Sequence, residues 1–241
     1  MPARALLSLI LSGALPLWGP LSAAEKAVKT RPNIVLFYAD DLGYTDLSCQ
    51  GSDYYRTPHI DRLAREGMTF TNAYAAAANC APSRASLMTG LYTPRHGVFT
   101  VGNSDRGKAA HRRLIPIENR TVLPPALPTM AEVLKKAGYR TAVAGKWHLN
   151  DDPTASGFDA NFGGLKWGHP KSYFSPYRNP KLKDGPNGEH LPARLASDLC
   201  SWIRSTQKQK GANEPFFVYF PFYSVHTPIQ ARADLTSKYR G

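Results

Sequence analysis

Two adjacent carboxylates, Asp40 and Asp41, follow the apolar run that begins at Ile34 and ends at Tyr38. In open α/β sheets, ligands bind beyond the carboxyl ends of the strands, which is the position that this pair occupies. Neighbouring carboxylates repel each other and need a compensating cation, and hard divalent ions such as Ca²⁺ or Mg²⁺ prefer oxygen ligands. An isolated Asp-Asp pair more often caps a helix or makes a turn, so the pattern alone leaves both interpretations open.

Two further segments place basic side chains directly after predicted strands. Lys146 and His148 are two residues apart at a strand end, so both can point to the same side of the sheet. His226 follows the apolar run from Phe216 to Phe222, and a histidine can donate or accept a proton near neutral pH. Taken singly, these side chains are more often solvated loop residues than catalytic groups.

The stretch Cys80-Ala81-Pro82-Ser83-Arg84 combines a thiol with a guanidinium four residues later. Cys80 falls at the predicted start of a helix, where backbone N–H groups favour developing negative charge. The planar guanidinium of Arg84 suits an anion near the thiol, and an ion pair on the helix surface is the alternative. The motif continues from Ala85 to Tyr92, and a motif of that length arises by chance less often than a motif of five residues.

The stretch from Cys80 to Tyr92 resembles the signature of the type I sulfatases, in which the cysteine is oxidised to formylglycine. Three more segments resemble the family in the same order: Pro32 to Gly43, Gly145 to Leu149 and Ser224 to Pro228. The resemblance implies an alkaline phosphatase-like α/β fold with a mixed, mostly parallel sheet between helices. It also implies hydrolysis of a sulfate monoester, and a formylglycine-generating enzyme as the maturation partner.

The same resemblance assigns the metal and the anion sites. Asp40, Asp41 and the group derived from Cys80 would bind the divalent cation, with Ca²⁺ expected and Mg²⁺ as the alternative. Arg84 would hold a formylglycine hydroxyl and the anion near the metal.

The resemblance also implies roles for the three remaining site residues. Lys146 would hold oxygens of the sulfate and of formylglycine, and His148 would contact the aldehyde hydrate as the base for sulfate elimination. His226 would lie beside the leaving-group oxygen as the general acid.

Sulfated carbohydrate is the expected substrate class, because the loop from Lys166 to Phe174 combines basic with aromatic side chains. Packing of that loop on the protein body is an equal alternative. A phosphonate or phosphodiester hydrolase of the same superfamily, or an inactive fragment, are the competing interpretations of the whole chain. The family takes further metal ligands from a later Asp-Asn or Asp-His pair and adds a second lysine, which nothing after His226 matches. The chain therefore resembles the N-terminal portion of a longer sulfatase, and we expect low activity from it alone.

The ends and the charge of the chain suggest where it works. Arg4 precedes an apolar run and Ser22-Ala23-Ala24 offers small residues for cleavage, so residues 1–24 are interpreted as a signal peptide that is too short for a stable membrane span. Residues 25–241 would then be an incomplete catalytic domain in a secreted or periplasmic protein. The net charge of +12 favours anionic partners, and nucleic acid is disfavoured because the bases are scattered.

Strands alternate with helices along the predicted domain, which favours a parallel or mixed sheet with helices on both faces. Two long segments, 102–128 and 157–192, are predicted to be loops. Cys49 and Cys200 are expected to be small buried hydrophobes rather than a disulfide pair. The strands are predicted at 33–38, which would be covered on both faces, and at 68–74, 139–144 and 216–222, and the helices at 57–67, 129–138 and 192–205.

Overall fold

The computed structural model describes residues 31–210 and 214–239, so the predicted signal peptide lies outside the described residues. Strands and helices alternate along this part of the chain, as the sequence predicts. No helix that the structure describes is long and apolar enough to cross a membrane. The strands are β1 (Ile34–Tyr38), β2 (Arg140–Ala144), β3 (Ala160–Phe162) and β4 (Phe216–Pro221), and the helices are α1 (Pro58–Glu66), α2 (Cys80–Thr89), α3 (Thr93–His96), α4 (Met130–Lys136), α5 (Leu191–Lys210) and α6 (Ala233–Thr236).

The four strands form one sheet in the order β1-β4-β2-β3, and every neighbouring pair is parallel. In the register, Val35 lies opposite Val218, and Ala142 lies opposite both Val218 and Ala160. Parallel pairing brings the carboxyl ends of β1, β2 and β4 to the same edge of the sheet, so residues that are far apart in the sequence meet there.

Helices cover both faces of the sheet, and β4, which is buried throughout, shows how. Phe217 and Tyr219 point to one face, where they belong to the core that includes residues of α2 and α4. Val218 and Phe220 point to the other face, which packs against α5. This alternation is the period of two that a strand imposes, and it confirms an α/β fold with a helix-covered parallel sheet.

Helix α4 starts where its capping box predicts. The Thr129 hydroxyl accepts a hydrogen bond from the Glu132 N–H at 3.2 Å, and the Glu132 carboxylate accepts one from the Thr129 N–H at 2.7 Å. Both bonds satisfy N–H groups that the first turn of a helix leaves without a partner.

Three expectations about the elements are wrong. Residues 68–74 do not form a strand, and Met68, Phe70 and Tyr74 are largely exposed. A strand needs a hydrogen-bonded neighbour, and no strand that the structure describes lies beside this segment. The predicted loop 157–192 contains the short strand β3, and α5 extends beyond Ser205 to Lys210.

Strand β1 is expected to be covered on both faces, but the structure covers only one. Ile34, Leu36 and Tyr38 pack against the core that contains α2, whereas Val35 and Phe37 are 45% and 55% exposed. Val35 and Phe37 are exposed because β1 lies at one edge of the described sheet, whereas α5 packs over β2 and β3.

The two cysteines outside the motif are also misassigned by the sequence. Cys49 and Cys200 are both free and exposed rather than buried. Cys49 belongs to a surface 3-10 turn, and Cys200 lies on the outer side of α5, whose Leu195 and Leu199 face the core.

His96 ties helix α2 to the loop that follows α3. Its ring is 1% exposed, its Nδ1 lies 3.1 Å from the Val98 N–H, and its Nε2 lies 3.0 Å from the Ser86 hydroxyl. Because a backbone N–H can only donate, Nδ1 must carry a lone pair and the neutral ring must carry its hydrogen on Nε2. Burial lowers the pKa of His96, which favours the same neutral form.

We expect His96 to make the protein less stable in mild acid. Its lowered pKa means that the unfolded chain binds a proton below about pH 6.5 while the folded chain does not, so this stability is present above that pH and is lost below it. His96→Gln should lower the free energy of unfolding at pH 7.5 by about 1–3 kcal/mol and weaken the loss on acidification. Urea titrations of both proteins at pH 7.5 and 5.5 test this, and an unchanged pH dependence in the variant would contradict it.

Candidate active site

The structure brings the predicted site residues to the edge of the sheet where the strands end. Asp40 follows β1, Lys146 follows β2 and His226 follows β4, while α2 begins at Cys80. A cavity of about 190 Å³ at this edge is lined by Asp40, Asp41 and Cys80. The carboxylate pair and the predicted nucleophile precursor therefore share one cavity.

Asp40 is the electrostatic centre of the site. Its Oδ1 accepts from Arg84 Nη2 at 3.0 Å and its Oδ2 pairs with Lys146 Nζ at 2.5 Å. All three residues are at most 3% exposed. Burial of these charges is tolerable only because they compensate one another at hydrogen-bond distance.

Arg84 also connects the strands that surround it. Its Nη1 donates to the Lys146 carbonyl at 2.7 Å and approaches the Tyr219 hydroxyl at 3.4 Å, and its guanidinium lies over the Tyr38 ring. One side chain on α2 thereby contacts the ends of β1 and β4 and the segment after β2. Arg84 thus links α2 to the sheet.

Asp41 differs from Asp40 in its exposure and in its contacts. Its backbone is left-handed, with φ of 56°, and its side chain is 57% exposed. Its Oδ2 lies 3.8 Å from His226 Nε2. The left-handed backbone separates two carboxylates that are adjacent in sequence, so one is buried in ion pairs and the other faces the open side of the site.

The donor atoms fit a divalent cation. Among the described residues, Asp40, Asp41 and His226 offer ligand atoms that lie within 4.8 Å of one another. Two carboxylates suit Ca²⁺ or Mg²⁺, whereas the imidazole nitrogen is not a preferred ligand of either. Arg84 and Lys146 already balance the charge of the two carboxylates, so tight binding of a cation would need additional oxygen ligands.

The hydrogen-bonding pattern of His226 defines the tautomer of its ring. Its Nδ1 lies 3.0 Å from the carbonyl oxygen of Thr227. Because a carbonyl only accepts, that contact requires the hydrogen on Nδ1, which leaves Nε2 without a hydrogen in the neutral ring. The loop of His226 is tied down by Tyr173, whose hydroxyl donates to the His226 carbonyl at 2.9 Å.

His148 is held in its neutral form. Burial first, and then the positive charges of Lys146 and Arg84, lower the pKa of His148 to about 4. Its backbone is left-handed, with φ of 65°, and its N–H donates to the Leu165 carbonyl at 2.9 Å. At neutral pH the ring is therefore uncharged and can accept a proton.

Two acidic residues outside the site, Asp152 and Asp234, form ion pairs elsewhere. Asp152 accepts from the Thr154 N–H at 3.0 Å and pairs with Lys181. Burial raises the pKa of Asp152, but the hydrogen bonds from Lys181 and Thr154 outweigh this effect and lower the pKa to about 2. Asp234 pairs with Arg232 on the surface.

Sequence reasoning missed the tyrosines that support the site. The Tyr38 hydroxyl hydrogen-bonds the Ser83 hydroxyl at 2.5 Å, which joins the end of β1 to α2. Tyr219 approaches Arg84, and Tyr173 holds the loop of His226. In the sequence, Tyr38 and Tyr219 are indistinguishable from ordinary strand residues, and only the three-dimensional contacts identify them.

Comparison with known proteins gives a consistent result. The family model described as Sulfatase matches residues 32–241. A sulfatase of Formosa agariphila is 33% identical over 91% of this chain and 49% of its own length. The N-acetylgalactosamine-6-sulfatase of Rattus norvegicus is 33% identical over 90% of this chain and 44% of its own length. The chain thus spans about half the length of the curated relatives it matches.

Solved structures agree with these sequence matches. The crystal structure of Ps i-CgsB in complex with k-i-k-neocarrahexaose superimposes with a TM-score of 0.69 at 30% identity. The similarity covers 86% of this chain and 48% of the solved chain.

Proposed function

Because the chain belongs to the sulfatase family, we propose that the protein hydrolyses a sulfate monoester of a carbohydrate and releases an alcohol and sulfate. The observation that carries this proposal is the single cavity shared by Asp40, Asp41 and Cys80, beside the buried cations Arg84 and Lys146. A dianionic carboxylate pair next to two cations is suited to an anionic substrate oriented by a metal ion.

Cys80 is the proposed site of oxidation to formylglycine, whose aldehyde hydrate supplies an oxygen nucleophile that a thiol lacks. The half-buried Cys80 is the first residue of α2, so the backbone N–H groups of that helix face the developing negative charge. Asp40, Asp41 and the converted Cys80 would hold the cation, and Ca²⁺ is the proposed ion because the donors are oxygens.

The histidines are proposed to divide the proton transfers between them. His148, neutral at physiological pH, accepts a proton on the nucleophile side of the reaction. His226 acts in its protonated form and donates from Nε2 to the departing alkoxide, since its Nδ1–H is occupied by the Thr227 carbonyl. Lys146 and Arg84 contribute fixed positive charge for the sulfate oxygens.

A carbohydrate is the proposed leaving group. A second cavity of about 390 Å³ lies against His148 and is lined in part by Thr100, Gly102, Asn150 and Lys166. These hydroxyl, amide and ammonium groups suit a polar sugar. The relatives named N-acetylgalactosamine-6-sulfatase, and the solved structure in complex with a neocarrahexaose, support the same class.

The cellular setting is proposed with the activity. Cleavage after residue 24 would deliver the protein to a secreted or periplasmic location, with a formylglycine-generating enzyme as its maturation partner.

The test is a substrate panel on the full-length protein made with a formylglycine-generating enzyme, after mass spectrometry has established conversion of Cys80. We expect 4-nitrophenyl sulfate and N-acetylgalactosamine 6-sulfate to be hydrolysed at least about a hundredfold faster than a phosphonate monoester or a phosphodiester. The reverse preference would contradict the sulfatase proposal and favour the phosphonate or phosphodiester hydrolase.

A further inference from the structure

The segment from Leu165 to His169 runs along both histidines of the candidate site, and we call it the histidine strap. It lies inside the long segment that the sequence predicts to be a loop. At its start, the Leu165 carbonyl accepts the His148 N–H at 2.9 Å. At its end, Pro170 is buried, which anchors the strap to the protein body.

Gly168 is the contact between the strap and His148. A Cβ atom on Gly168 would lie 2.8 Å from Cε1 and 3.1 Å from Nε2 of the His148 ring. Carbon atoms do not approach that closely, so any larger residue would displace the ring. The absence of a side chain at Gly168 thus lets the strap pass close to the Cε1 edge of the His148 ring, and a larger residue there would change the orientation of the imidazole.

His169 is the contact between the strap and His226. The two imidazole planes are 17° from parallel and their centroids are 6.1 Å apart. His169 is itself oriented by its own backbone, because its Nδ1 lies 3.1 Å from the Pro170 carbonyl oxygen and must donate to it. An oriented flat ring therefore runs alongside His226, whose Nε2 faces Asp41 at 3.8 Å.

We infer that Gly168 and His169 are positioning residues that act on the two histidines separately: Gly168 through close contact with His148, and His169 through its ring beside His226. The inference rests on the proposed function, since it assigns the two contacts to two proton transfers. An imidazole ring rotates easily about χ2, and a proton is transferred only within hydrogen-bond distance. A neighbouring group that restricts this rotation therefore determines how often the ring is oriented for proton transfer.

Separate positioning gives each variant its own kinetic pattern. Gly168→Ala should lower kcat about 10–100-fold on every sulfate ester, because the base on the nucleophile side serves all of them. His169→Ala should lower kcat about 10–100-fold on a sulfated sugar but less than about threefold on 4-nitrophenyl sulfate, since nitrophenolate leaves without a proton. His226→Gln should show the same leaving-group pattern as His169→Ala, with KM within about threefold in all cases.

Two further variants separate positioning from loss of structure. His169→Phe keeps a flat ring and should recover most of the activity on the sulfated sugar. His111→Ala removes an exposed histidine outside the candidate site and should leave both substrates unaffected. Equal losses on both substrates in His169→Ala, or no recovery in His169→Phe, would overturn the role of His169. A leaving-group-dependent loss in Gly168→Ala would overturn the role of Gly168.

The second readout needs no turnover. In the protein with unconverted Cys80, the Cε1–H NMR signal of His226, identified by its loss in His226→Gln, should be single and sharp. We expect it to broaden in His169→Ala and to sharpen again in His169→Phe, while the His148 signal changes only in Gly168→Ala. An inactive wild-type enzyme would reject the proposed function, and the NMR result alone would then test whether Gly168 and His169 position the two histidines. Signals of both histidines that are unchanged in both variants would reject these positioning roles.

Discussion

Replacing Cys80 by alanine is expected to abolish hydrolysis of sulfate esters, with kcat reduced by at least about a thousandfold. The side chain lines the cavity of Asp40 and Asp41, and alanine cannot be converted to an aldehyde hydrate. Folding should be unaffected, because α2 packs through Ala85 and Met88 rather than through Cys80. The measurement is turnover of 4-nitrophenyl sulfate by the full-length protein after co-expression with a formylglycine-generating enzyme.

The chain provides a matched control for this variant. Cys49 is a free and exposed cysteine outside the motif, so Cys49→Ala should keep full activity. Cys80→Ser should be inactive unless the host has a maturation system for serine. Retention of most activity in Cys80→Ala, with the protein mass otherwise unchanged, would show that another group is the nucleophile.

Replacing Asp40 by asparagine is expected to weaken metal binding and to remove a large part of the stability. The buried cations Arg84 and Lys146 would lose the carboxylate that compensates them, which costs about 3–5 kcal/mol in the free energy of unfolding. Asp41→Asn removes the same charge from a side chain that is 57% exposed, so the free energy of unfolding should change by less than about 0.5 kcal/mol.

The two aspartates can be distinguished by two measurements on the full-length protein. Calorimetric titration with Ca²⁺ should show weaker binding in both variants, and urea denaturation should show destabilisation in Asp40→Asn alone. Chelation should remove the activity of the wild type, and Ca²⁺ or Mg²⁺ should restore it. Unchanged Ca²⁺ affinity in the double asparagine variant would exclude the metal role, and equal stability of the two single variants would exclude the buried ion pairs.

The elements that were predicted correctly are those whose signals are local. The capping box of Thr129 and Glu132 and the apolar run of β4 each specify their structure within a few residues. Residues 68–74 carry a similar apolar signal and fail, because a strand also depends on a neighbour that the segment itself does not encode. The exposed face of β1 has the same cause, since its cover depends on strand order.

The candidate site divides in the same way. Asp40, Cys80 and Lys146 could be recognised in the sequence because each stands in a segment that resembles the sulfatase family. The contacts of Gly168 and His169 could not, because a glycine and a loop histidine acquire meaning only from the rings that they touch. The pairing of Asp40 with both Arg84 and Lys146 likewise depends on parallel strands that bring distant segments together.

The place of β4 in the sheet has a consequence for the timing of synthesis. The Phe216 N–H donates to the Asn33 side chain across 183 residues of sequence, and Arg84 meets Tyr219 across 135 residues. At roughly 5–20 residues per second, a ribosome needs about 7–27 s to travel from Arg84 to Tyr219. Until then the sheet cannot close over α2, and the residues from Ala81 to Arg84, which the folded protein buries, stay open to a modifying enzyme. The order of the strands thus sets a time window in which the proposed oxidation of Cys80 meets an unfolded substrate.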